Sequence, residues 1–109
     1  MINITVHKTD KTFDGFVVEG HAGYDEEGRD IICAAISILS TAALNSMNLV
    51  ASIPEKNIIF DVDENTGFMK LHTLENNDKS DVIYRNFIVG VQLLLENYGD
   101  YITLKFEEV

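Results

Sequence analysis

The chain has 109 residues, 46 % of them apolar, and a formal net charge of −10 from 8 basic and 18 acidic side chains. That length fits one domain, residues 1–109, with a modest core that needs no disulfide or metal, and the apolar content excludes a disordered chain. The acidic balance argues against direct nucleic-acid binding, whose affinity comes largely from Lys and Arg on phosphate; it suits a basic partner, or simply a soluble surface.

The longest apolar run, Ile31 to Leu39, is broken by Ser37 and falls short of a membrane span, so no membrane association is expected. The start, "MINITVHKTDK", alternates polar and apolar residues and lacks the basic-then-apolar order of a signal peptide. The lone cysteine, Cys33, cannot close an intrachain disulfide, which fits a reducing, cytoplasmic setting.

Residues 2–7, "INITVH", place Ile2, Ile4 and Val6 on one face of a first strand. "TDKTFDG" supplies turn chemistry, and "FVVEG" reads as the second arm of a hairpin that Gly20 ends. Residues 21–29 read as an irregular loop, with Asp30 placed to cap the helix that follows. Ile32, Ile36, Leu39, Ala43, Met47 and Val50 recur at helical spacing, and Pro54 marks the exit. "NIIFDVD" and "GFMKLHT" are strand-like, joined by a turn at "ENTG".

"ENNDKS" is a polar loop with a cap expected at Asp78 or Ser80. Tyr84, Phe87, Ile88, Val91, Leu94, Leu95 and Tyr98 then form a second helical stripe, and Gly99 stands where a left-handed glycine closes a helix. Gly90 lies inside that stripe, where glycine costs about 1 kcal/mol against Ala; close contact with another backbone is the expected compensation. "YITLKFEEV" alternates again, with Ile102, Leu104 and Phe106 inward. The order ββαββαβ, each element with one apolar face, predicts an α+β domain: two helices on a mainly antiparallel sheet.

The chemistry concentrates in "GHAGYDEEGRDIICAAIS", residues 20–37. With Asp30 as cap, Cys33 takes the third helical position, where free amides and the helix dipole favour a thiolate and can receive an oxyanion. The plain alternative is a small buried thiol. His21 precedes Cys33 by twelve positions; its small neighbours Gly20, Ala22 and Gly23 let the chain bend, so the imidazole could reach the thiol as its base. It could equally be a surface histidine. The segment between Gly23 and Gly28, rich in acids, reads as a lid over a substrate or as an ordinary solvated loop. Asp30 is a candidate to orient His21, capping being the simpler role. Ser37, one turn beyond Cys33 on the same face, is a candidate pocket residue or simply bonds back to a helix carbonyl.

Two decoys fall away. "DVDENTGF" begins like a calcium loop, but Thr66 stands where that loop needs Gly and His72 where it needs Glu. His7 and His72 lie in separate strands without zinc spacing, so neither metal nor cofactor is expected.

The residues "GHA", a short loop, and "GRDIICAAIS" resemble the ribosomal-processing cysteine protease family, whose pattern reads GHA, a loop, then G-x-D-I-V-C-A-A-V-S. Ile32 and Ile36 replace valines conservatively, and the ending "LLENYGDYITLKF" fits as well. The resemblance implies that Cys33 is the nucleophile and His21 the base. It further implies a cytoplasmic bacterial homodimer that removes the basic N-terminal extension of a large-subunit ribosomal protein, cutting after an aromatic residue, with a loop that orders around the peptide. The competing readings are a non-catalytic acidic module binding such a basic tail, and a thiol redox sensor, which lacks a second cysteine to resolve a sulfenic acid.

Overall fold

The alternation of Ile2, Ile4 and Val6 becomes strand β1, Ile2–Thr9, and all three side chains are buried. The computed structural model of the chain describes residues 1–20 and 29–108, with Arg29 and Asp30 described by backbone alone. The first turn is tighter than expected. Strand β2, Thr12–Glu19, begins directly after Asp10 and Lys11, and Phe13 is buried in it. Asp10 adopts a left-handed φ of 55°, which Asp tolerates better than most residues. A register shift between His7 and Lys8 accommodates the tight return.

Helix α1 spans Arg29–Leu49, and the stripe Ile32, Ile36, Ala43 and Met47 is buried. Val50 falls past the helix end and is exposed, while Ala51 and Ile53 take its place in the core. The segment Ile31–Leu49 is long and apolar enough to cross a bilayer by composition, a correction to the reading from run length. Isolated Ser and Thr residues interrupt an apolar run without adding charge. Here the helix packs its stripe into the same core as the sheet.

A single 3₁₀ turn, Glu55–Asn57, follows Pro54 and leads into β3, Ile58–Asp63, which pairs with β4, Phe68–Thr73. Helix α2, Asp78–Tyr98, is capped by neither Asp78 nor Ser80 but by Asn77: Ser80 N–H donates to Asn77 Oδ1 at 2.9 Å, and Asn77 N–H donates to Ser80 Oγ at 2.8 Å. Gly99 is right-handed, with φ −59°, so the left-handed termination expected there does not occur. Gly90 meets a side chain rather than a backbone: a Cβ there would lie 2.7 Å from Cδ2 of Leu39 on α1.

Strand β5, Ile102–Glu108, completes a five-stranded sheet in the order β3-β4-β2-β1-β5. β5 runs parallel to β1, and the other pairings are antiparallel. The register aligns Phe60, Leu71, Phe16, Val6 and Phe106 across the sheet. The helices cover this face. Phe16 stacks on Phe87 of α2 with ring centroids 4.0 Å apart, and meets Tyr84 edge-on. Coverage fades outward: Ile102 is buried, Leu104 half-buried and Phe106 exposed, so the inward expectation for Phe106 fails. The domain is α+β, ββαββαβ, as the element order predicted.

Burial pushes the Tyr84 phenol well above its ordinary value, a shift opposed by its hydrogen bond to Thr73 Oγ1 at 2.8 Å. The phenol therefore stays a neutral donor inside the core. Thr73 passes the bond on to Asn76 Oδ1 at 2.6 Å.

Candidate active site

Cys33 sits in the first turns of α1, half-buried, with part of its surface against the core. Its remaining surface lines a cleft of about 400 Å³. Ile2, Val18, Ile36 and Met69 give this cleft an apolar lining, and Ser37 and Gly20 also line it. The serine that bonds back to the helix is Ser40, whose Oγ donates to the Ile36 carbonyl at 2.7 Å.

Because α1 begins at Arg29, Asp30 lies inside the helix rather than in front of it, and the capping role expected for it does not follow. Cys33 is correspondingly deeper than the third helical position. In an α-helix starting at Arg29 its own N–H bonds back to the Arg29 carbonyl, so any free amides belong to the turn before it.

His21, Ala22, Gly23 and Gly28, and with them the lid expectation, lie outside the described residues. The residue that leads into them does not. Gly20 holds φ at +89°, and a Cβ there would stand 2.6 Å from the Met1 carbonyl oxygen, so only glycine turns the chain at this point. Gly20 and Cys33 thus line one cleft from two different elements.

The opposite wall was missed by sequence reasoning. It is the end of the β3–β4 hairpin: Val62, Asp63, Glu64, Gly67 and Phe68. Asp63 accepts the Asn65 N–H at 3.0 Å and shapes the turn. The "DVDENTG" stretch that failed as a calcium loop is this wall. Its acidic residues were visible, but nothing local in the sequence aims a hairpin turn at Cys33, 29 positions before Val62.

The other two histidines of the chain are engaged elsewhere. His7 Nε2 lies 3.4 Å from Glu107 Oε2, and His72 Nδ1 lies 3.1 Å from the Asp14 carbonyl. By strand alternation both stand on the sheet face opposite the helices. No group of His, Cys, Asp and Glu among the described residues is arranged to hold a metal.

The arrangement offers a helix-borne thiol in an open apolar cleft with acidic residues on its rim, a setting suited to nucleophilic attack on a bound peptide. Comparisons with known proteins agree. The sequence model of the family described as "Cysteine protease Prp" matches residues 1–103. The ribosomal processing cysteine protease Prp of Staphylococcus aureus is 30% identical over 97% of each chain. A Streptococcus mutans protein of known crystal structure superposes with a TM-score of 0.85 at 28% identity, covering 100% of this chain and 96% of that one. The S. aureus protease in complex with a covalently linked product peptide gives 0.85 at 26% identity, over 98% of this chain and 100% of that one. With the family's sequence pattern running through nearly the whole chain and its fold reproduced around Cys33, this protein belongs to the Prp family of ribosomal processing cysteine proteases.

Proposed function

We propose that the chain is a cysteine endopeptidase that removes the basic N-terminal extension of a large-subunit ribosomal protein, with Cys33 as nucleophile and His21 as general base. The observation that carries this reading is that Cys33 and Gly20, the residue bonded to His21, line the same cleft. The other two histidines are engaged on the far face of the sheet, which supports the choice of His21 as the imidazole for the thiol. The S. aureus relative, solved with a covalently linked product peptide, supports a covalent route.

In this mechanism His21 takes the thiol proton and the Cys33 sulfur attacks the scissile carbonyl. Backbone amides in the turn preceding Cys33 receive the oxyanion. The tetrahedral intermediate expels the amine, which leaves with the proton from His21. Water then cleaves the thioester and restores the thiol. Asp30 is the candidate to orient His21.

The protein acts in this reading as a cytoplasmic homodimer. The lone cysteine suits a reducing compartment. The outer stripes of α1 (Ile31, Ile38, Leu49) and α2 (Val82, Val89, Leu93) are exposed apolar surface of the sort a subunit interface covers.

The test is mass spectrometry of a peptide carrying the host's ribosomal extension, incubated with wild type, Cys33→Ala and His21→Ala. One cleavage after an aromatic residue, lost in both variants while each stays folded, is the expected result. Retained cleavage by Cys33→Ala refutes the assignment. A peptide bound but left intact by wild type would make the protein an acidic binding module instead.

A further inference from the structure

The cleft at Cys33 continues along α1. Cys33, Ser37 and Thr41 line it at one end, and Leu44 and Asn48 line a second hollow of about 400 Å³ further along. These five positions step by three or four residues and form one helical stripe. Facing them, Val62 lines the first hollow, and Phe60 and Ile58 line the second. Those three alternate along β3 and share one face of it. The two hollows are thus consecutive stretches of one groove between α1 and β3. From Cys33 to Leu49 it runs about 24 Å at the helical rise, the length of about seven extended residues.

The β3 wall is unusual for a protein surface. β3 is an edge strand that pairs with β4 alone among the described residues, yet Phe60 and Val62 on its groove face, and Ile59 on the other, are each close to half exposed or more. A long apolar edge of this kind invites another strand unless it is covered or used. The groove's charge is one-sided. Asp63 and Glu64 stand at the Cys33 end and Glu55 at the far end, and among the described residues neither hollow is lined by Lys or Arg.

We infer that this groove is the extended subsite of the protease: the substrate segment beyond the scissile bond lies along β3 as an added strand. Its apolar side chains pack on Phe60, Val62 and Leu44, and its basic side chains meet Asp63, Glu64 and Glu55. The occupant follows from continuity with Cys33 and from charge complementarity. An extended peptide satisfies the free strand edge through its main chain and places alternate side chains into the groove. The inference rests on the protease reading and adds to it where selectivity for a basic, apolar tail resides.

The experiment uses two peptides from the ribosomal extension that share the scissile bond. One is about sixteen residues long and spans the groove; the other keeps about three residues on each side. Each is assayed with wild type, Phe60→Ser and Glu55→Lys, whose folding is checked by circular dichroism. Binding of the long peptide is measured in parallel by fluorescence anisotropy in the Cys33→Ala background, with and without Phe60→Ser. Wild type should cleave the long peptide with the higher kcat/KM. Phe60→Ser should lower the long-to-short ratio roughly tenfold, mainly through KM, as expected for loss of one buried aromatic contact. Glu55→Lys should lower it further at low salt than at high salt. An unchanged ratio in both variants overturns the groove. Failure of wild type to cleave either peptide refutes the protease reading instead, and the anisotropy then decides the groove: tighter binding without Phe60→Ser supports it, equal binding removes it.

Discussion

Gly90→Ala sets two effects of known size against each other. Alanine stabilises a helix interior by about 1 kcal/mol over glycine. At this position, however, the new Cβ would lie 2.7 Å from Leu39 Cδ2 and 2.9 Å from Cδ1. Ordinary carbon contacts are about 3.5–4.0 Å, so both methyl groups must retreat by roughly 1 Å. Leu39 is only partly buried and can turn aside, which places the cost near the middle of the overpacking range, about 2 kcal/mol. The substitution should therefore destabilise the protein by about 1 kcal/mol. In a Leu39→Ala background the obstacle is gone and the same change should stabilise by about 1 kcal/mol, a coupling of about 2 kcal/mol. Urea denaturation of the four proteins, followed by far-UV circular dichroism, measures it. If Gly90→Ala has the same effect in both backgrounds to within about 0.5 kcal/mol, the helix contact is not what glycine serves.

Tyr84→Phe should cost about 1 kcal/mol near neutral pH by deleting the bond to Thr73. Because the folded phenol holds its proton more tightly than the unfolded one, the unfolded state binds fewer protons above about pH 10, and wild-type stability falls there as pH rises. The phenylalanine variant lacks that loss, so melts between pH 8 and pH 11 should show the gap closing and then reversing near pH 11; a constant gap would contradict the buried-phenol argument. Asn77→Ala removes the side-chain arm of the α2 cap, from Ser80 N–H to Asn77 Oδ1, and the Asn77 Nδ2–H bond to the Ala51 carbonyl at 2.9 Å, while the backbone arm to Ser80 Oγ stays; it should cost about 1–2 kcal/mol. Asn77→Asp keeps the cap and loses only the Ala51 bond, so thermal melting should place it between wild type and Asn77→Ala.

Local pattern carried the strands and helices that bury a full face. Ile2, Ile4 and Val6 could be assigned from alternation, and Tyr84, Phe87, Ile88 and Val91 from helical spacing, because each periodicity permits one buried side. The failures share a physical form. Alternation tells which way Phe106 points but not how far the helices reach over the sheet, so its exposure was out of view. Polar residues in "TDKTFDG" resemble turn chemistry, yet the actual turn is closed by a left-handed Asp10 and the remaining residues are strand. For α2, several neighbouring polar residues offered cap chemistry, and the choice of Asn77 depends on its second bond to Ala51, a tertiary contact.

The site was legible as a pair of residues but not as a place. The resemblance singled out His21 and Cys33; the register explains why the chain brings this region together. Asn3 pairs with Glu19, Val18 with Met69, and Ile2 with Ile102, so the end of β2, the start of β1 and the β3–β4 turn occupy one end of the sheet. Strand order then constrains α1. β2 is followed in sequence by α1 and β3, but β4 lies between β2 and β3 in the sheet. The helix must cross from one to the other, leaving its first turns by the end of β2 and its length beside the edge strand. A thiol early in α1 is therefore at the sheet end where β2 exits at Gly20, and Thr41, Leu44 and Asn48 further along the helix line hollows shared with Val62, Phe60 and Ile58 of β3. The same crossover that places the thiol in a cleft also makes the groove leading away from it, so the cleft and the groove share one topological cause.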